Sequence, residues 1–107
     1  MATPEFIVSL RQRIGHDMLW LPGVSIVVVD EASRLLLGQR ADNGRWAVVS
    51  GIPEPGEQPA VAIRRECLEE TGVDVDVLAI TSVTAGDPFA FPNGDNCVFM
   101  GLNFVGR

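Results

Sequence analysis

Residues 51–73 read GIPEPGEQPAVAIRRECLEETGV, from Gly51 to Val73, and they carry more chemistry than the rest of the chain. Glu66, Glu69 and Glu70 stand at i, i+3 and i+4, behind a loop that holds a fourth carboxylate, Glu57. The spacing predicts a helix from Pro59 to Thr71. Proline suits its first position, where no N–H is needed, and Gly72 is placed to close it with a positive φ. At 3.6 residues per turn the three carboxylates share an arc of roughly 100°. Like charges so placed cost a helix roughly 0.2–0.5 kcal/mol per pair in water, and more where water is excluded. A hard divalent cation reverses that sign, and carboxylate oxygens suit Mg²⁺ or Mn²⁺. A solvated acidic face is the plain alternative.

On the helical wheel Ile63, Cys67 and Ala60 form one apolar stripe and Leu68 with Val61 a second, so much of the helix away from the acids is expected to be covered. Ala62 lies inside the acidic arc and leaves room beside the carboxylates, with Arg65 at its edge.

Gly51, five residues, Glu57, seven residues, then Arg65-Glu66-Cys67-Leu68-Glu69-Glu70-Thr71-Gly72-Val73 resembles a complete Nudix box, of the MutT-like Nudix hydrolase family. The similarity continues upstream through Leu35–Arg40 and Trp46. The resemblance implies an α/β fold, an α/β/α sandwich with a mixed sheet. It also implies a pyrophosphohydrolase that cleaves a nucleoside diphosphate linked to another group, with Mg²⁺ or Mn²⁺ bound. Glu66, Glu69 and Glu70 are the expected metal ligands, joined through the resemblance by the backbone carbonyl of Ser50, the residue before the box glycine. Glu66 is also a possible base, although some subfamilies take the base from elsewhere. Arg65 is expected to pair with a box carboxylate and hold it in place. Glu57 either meets the metal through water or braces its loop. Arg40 matches a position where some relatives set an arginine on substrate phosphate, and an exposed strand-end arginine is the alternative. Val49-Ser50 replaces the usual Pro-Gly ahead of the box glycine, which alters the loop's shape, and Cys67 stands where an aliphatic residue is usual.

The chain has 107 residues, 47% of them hydrophobic, and a formal charge of −6, which fits one domain with a modest core. That charge argues against tracking a nucleic-acid backbone, which needs clustered Lys and Arg, so a small nucleotide-like substrate is expected. Neither a leader peptide nor a membrane span is indicated. Cys67 and Cys97 read as packing residues in a reducing, cytoplasmic setting.

Phe6, Ile7, Leu10 and Ile14 recur at helical spacing, so residues 1–20 divide off as an amphipathic helix (4–16) with its lead-in, ahead of a Nudix domain over 21–107. Such a helix packs on the sheet or forms a homodimer contact. Strands are expected at 23–30, at 34–40 as its hairpin neighbour, at 46–51, at 75–83 and at 96–105, the last two antiparallel. Between them, 87–95 is rich in turn formers. There Phe89 and Phe91 can stack a base and Asp95 can reach the site, against the reading of a hairpin loop that caps the core. Trp46 is kept as a further substrate contact, although Trp20 and Trp46 read first as core or rim aromatics. His16 reads as a helix-end residue. By resemblance, further strands and a second helix are expected beyond Arg107, either in a longer chain or replaced by a partner. The alternative to an enzyme is a catalytically weak or inactive nucleotide-binding module.

Overall fold

A computed structural model describes residues 3–107. Its elements are α1 (Glu5–Ile14), β1 (Leu19–Val28), β2 (Gly38–Gln39), β3 (Trp46–Ala47), β4 (Val49–Gly51), α2 (Pro59–Thr71), β5 (Val77–Ala85), β6 (Phe89–Ala90) and β7 (Asn96–Gly106). The main sheet is mixed, in the order β4-β1-β7-β5, with β6 added to β7. Its centre is a parallel pairing of β1 with β7, in register from Leu19↔Cys97 to Val28↔Gly106. β4 and β5 flank that pair in antiparallel sense.

Because side chains alternate along a strand, the two central strands present two different faces. Val24, Ile26 and Val28 join Phe104 on one face, and α2 closes over them with Ala62, Ile63 and Cys67. Leu21 and Cys97 lie on the other, where Ile7 of α1 and Ile52 seal a second cluster, with Phe6, Leu19 and Phe99 packed against it. A helix on each side of a mixed sheet is the expected α/β/α arrangement. α1 takes the first of its two expected roles and packs on the sheet.

The ends of α2 fall where the sequence puts them. Pro59 opens the helix after Gln58, and Gly72 ends it at φ 74°, its N–H donating to the Leu68 carbonyl. The wheel needs correcting on two counts. Val61 and Leu68, the second apolar stripe, are 58% and 52% exposed, and Ala60 is exposed as well. The packed side of the helix is instead Ala62, Ile63, Glu66 and Cys67. α2 rests on the sheet along a single line of contact, and small Ala62 lets it approach closely enough to take Glu66 into that line.

The hairpin expected at 34–40 also needs correcting. Only Val29 and Leu35 bridge antiparallel, supported by the Leu36 N–H on the Val28 carbonyl, while Gly38–Gln39 pairs with Trp46–Ala47 in a separate two-stranded ribbon. The strand expected at 46–51 is accordingly split in two at Val48, because its ends belong to different sheets. Trp20 and Trp46 are 55% and 63% exposed and belong to the rim. Among the described residues no helix is long and apolar enough to cross a membrane.

Candidate active site

β4 and α2 bring the box residues together. Gly51 at the end of β4 faces Glu66, and a methyl group at Gly51 would sit 2.5 Å from Glu66 Cγ and 2.7 Å from its Oε1, nearer still to Cδ. Only glycine lets the carboxyl lie against the strand that carries the Ser50 carbonyl.

Arg65 is the hub of the acids. Its Nε and Nη2 donate to Glu57 Oε2 and Oε1 at 2.8 and 2.9 Å, a two-pronged grip. Its Nη1 reaches Glu66 Oε1 at 3.2 Å and Glu69 at 3.3 Å. Glu57 Oε1 also accepts the Glu54 N–H at 3.0 Å, so Glu57 braces its own loop. The Arg65 guanidinium holds the Glu57 carboxyl below its ordinary range, and Glu57 in turn raises Arg65.

Among the described residues Glu66 is the one buried charged residue, and burial pushes its carboxyl pKa upward, opposed by Arg65 and helped by Glu70 and Glu69. Glu69 and Glu70 lie at the exposed margin, and Glu70 has no hydrogen-bond or ion-pair partner among the described residues. The arrangement is a graded one: a buried acid, a shared arginine and two solvent-facing acids one turn on. With the side chains so disposed, no three His, Cys, Asp or Glu groups among the described residues close into a metal-binding cluster. The donor chemistry nevertheless fits a hard cation. All the groups offer anionic or carbonyl oxygen, and the Gly51 cradle fixes the buried one.

A cleft of about 240 Å³ opens beside these acids, lined by Arg40, Val49, Ser50 and Glu70 with Gly38 and Ala47. Arg40 is tied to Asp42 through two hydrogen bonds of 3.0 and 2.7 Å, and that pairing raises its pKa. Asp42 gave no signal in the sequence, because an exposed turn aspartate looks the same with or without a partner. Trp46 stands on the β2–β3 ribbon next to Ala47 and paired with Gln39, which line the cleft, but is not itself part of the lining. Phe89 packs edge-on against Phe91, with ring centres 5.0 Å apart, and stacks on Phe99 at 5.8 Å. Asp95, paired with His16 and Arg11, lies with Arg11 in the lining of a second cleft of about 390 Å³, which Arg40 and Asp42 also line. The structure thus gathers Glu57, Arg65, Glu66 and Glu69 at one hub with Ser50, Glu70 and Arg40 beside it, sets Trp46 on the adjoining ribbon, and places Asp95 and Phe89 elsewhere.

The NUDIX domain family matches residues 19–105. A "MutT-like protein" of Streptomyces ambofaciens is 47% identical over 76 residues, 71% of this chain and 49% of that protein. An "RNA pyrophosphohydrolase" of Roseobacter denitrificans is 33% identical over 84 residues, 77% of this chain and 48% of that one. The chain spans about half the length of these curated relatives. Among solved structures, a MutT protein from Methanosarcina mazei aligns at TM-score 0.68 and 22% identity over 85% of this chain and 65% of its own. A UDP-X diphosphatase aligns at 0.60 and 19% over 100% and 52%. At such identities the likeness is one of fold.

Proposed function

The chain belongs to the NUDIX domain family, and from that premise we propose that it is a divalent-cation-dependent pyrophosphohydrolase that cleaves a nucleoside diphosphate linked to another group. The observation that carries the reading is Glu66, a carboxylate buried against Gly51 and ringed by Arg65, Glu69 and Glu70. A protein gains nothing in stability from an ionised acid placed there, so a chemical purpose is the simplest account of it. The names of the pyrophosphohydrolase relatives point the same way.

Glu66, Glu69, Glu70 and the Ser50 carbonyl are the groups that would hold the cation, Mg²⁺ or Mn²⁺. Once bound, such an ion neutralises diphosphate charge and lowers the pKa of a coordinated water. The chain's own residues do the positioning. Arg65 sets the direction of Glu66 and Glu69 and is itself anchored by Glu57. Arg40 faces the cleft beside Glu70 and would pair with a phosphate oxygen, exchanging Asp42 for it. Glu66, buried against Gly51 beside the other acids, is also the side chain we propose to take the proton of the attacking water.

The test is an assay of the purified protein against a panel of dinucleotides, nucleotide sugars, nucleoside triphosphates and 5′-triphosphate RNA. Release of a phosphate product from at least one of them, dependent on Mg²⁺ and abolished by chelation, is expected. Binding of a panel member without any release would overturn the enzyme reading.

A further inference from the structure

Resting on the reading of Arg40 as a phosphate contact, we propose that Asp42 is a positioning residue that competes with the substrate for the Arg40 guanidinium, weakening phosphate binding and taking the guanidinium back as product leaves. The pair is two-pronged: Arg40 Nε donates to Asp42 Oδ1 at 3.0 Å and Nη2 to Oδ2 at 2.7 Å. Those two nitrogens form the fork by which an arginine grips two oxygens of a phosphate. Carboxylate and phosphate therefore want the same side of one group.

The position of the pair gives the competition its consequence. Arg40 lines both the cleft beside Glu70 and the larger one lined by Asp42 and Asp95. Asp42 holds it from one cleft, and the charge of Glu70 acts on it from the other. Arg40 and Asp42 are both exposed, so a ligand can reach them. The Arg40 hydrogen bonds hold the Asp42 carboxyl below its ordinary range, and it stays charged at neutral pH. An exposed ion pair is worth roughly two- to fivefold in an equilibrium, little enough for a phosphate to displace it and enough to be read in a binding constant.

The turn that carries Asp42 has a framework of its own. The Gly44 N–H donates to the Arg40 carbonyl at 2.9 Å, the Arg40 N–H to the Arg45 carbonyl at 2.8 Å, and the Arg45 N–H to Asn43 Oδ1 at 2.9 Å. Asp42→Asn keeps these bonds and the size of the side chain while removing the charge. A second pair supplies the comparison. Arg64 grips Asp74 through Nε and Nη2 at 2.7 and 2.9 Å and is likewise exposed, yet Arg64 lines neither cleft. Asp74→Asn therefore changes the protein's charge by the same amount without freeing Arg40.

The experiment titrates adenosine diphosphate into full-length protein by calorimetry, with chelator in place of Mg²⁺, for the parent, Asp42→Asn, Asp74→Asn, Arg40→Ala and the Arg40→Ala/Asp42→Asn double variant. Asp42→Asn should bind about two- to fivefold more tightly than the parent, and Asp74→Asn should match the parent. The gain should vanish in the Arg40→Ala background, because Asp42 acts only through that arginine. In ¹⁵N-arginine NMR of the parent, saturation with the diphosphate should move the Arg40 Nε–H signal and leave that of Arg64 in place. Where the protein turns over, Asp42→Asn should lower KM by a similar factor without raising kcat. Equal tightening by Asp42→Asn and Asp74→Asn, a gain that persists without Arg40, weaker binding by Asp42→Asn, or no binding by either the parent or Asp42→Asn would overturn the proposal. Tightened binding without any hydrolysis would sink the enzyme reading alone, and Mg²⁺-dependent hydrolysis with unchanged affinity in Asp42→Asn would sink this one alone.

Discussion

Arg65 and Glu57 are joined by two parallel hydrogen bonds of 2.8 and 2.9 Å across the loop that precedes α2. The pair fixes the loop and aims the third guanidinium nitrogen at Glu66 and Glu69. Lysine cannot reproduce that fork. Arg65→Lys should therefore lower stability by about 1–2 kcal/mol in urea unfolding, in keeping with charge-assisted hydrogen bonds at a partly buried site. The pH dependence carries a sign. The Glu57 pKa is below its ordinary 4.5 in the folded state, so its stabilisation is present above that value and lost as pH falls through the folded value. In Arg65→Lys the acid-side loss of stability below pH 4.5 should be shallower, a slope that thermal melts across the acid range will measure.

Glu66 has the opposite sign. Its folded-state pKa lies above the ordinary 4.5, so the ionised side chain costs stability at neutral pH, and that cost disappears as pH falls and the carboxyl takes up its proton. Glu66→Gln should be more stable than the parent at pH 7 without Mg²⁺, with the two melting temperatures converging at acid pH. Turnover should fall by at least about a hundredfold if Glu66 serves as base. A variant that is less stable at neutral pH would show that the carboxylate is structural.

Gly51→Ala places a methyl group in the space of the Glu66 carboxyl. The side chain must turn away, and a misplacement of about 1 Å can cost about a hundredfold in rate. We expect kcat to drop on that scale while far-UV circular dichroism and the α2 amide exchange pattern hold. Unchanged kcat would mean that Glu66 does not work from this position.

Cys67 lies on the packed side of α2, and burial, with Glu70 and Glu66 adding to it, pushes its thiol up to about 11. Native protein at pH 7.5 should therefore resist alkylation at Cys67 over hours, whereas guanidinium-unfolded protein reacts at once. Mass spectrometry of the labelled peptides reads this directly. Rapid native labelling would mean that α2 lifts off the sheet readily.

Much of α2 was legible in the sequence because its signals are local. Pro59 and Gly72 act on their own backbones, and the helix starts and stops where they require. The gathering of Glu66, Glu69 and Arg65 follows from helical spacing alone. The sheet was harder. β1 pairs with β7 across 78 positions, and nothing within either strand announces a parallel partner. A helical wheel shows that α2 has two apolar stripes without telling which one a sheet covers, which is why Val61 and Leu68 were misplaced and the burial of Glu66 was not foreseen. Asp42 and Arg11 were silent for the same reason: their partners, Arg40 and Asp95, are set by loop geometry and by the docking of α1.

The account's central claim is that the box acids exist to hold a divalent cation. Titrating Mn²⁺ into the full-length protein by electron paramagnetic resonance, alongside Glu66→Gln and Glu70→Gln, tests it most directly. The prediction is at least one saturable site in the parent protein, weakened about tenfold or more in each variant, as loss of a charged ligand requires. Mn²⁺ that binds all three proteins alike, or none of them, would contradict it.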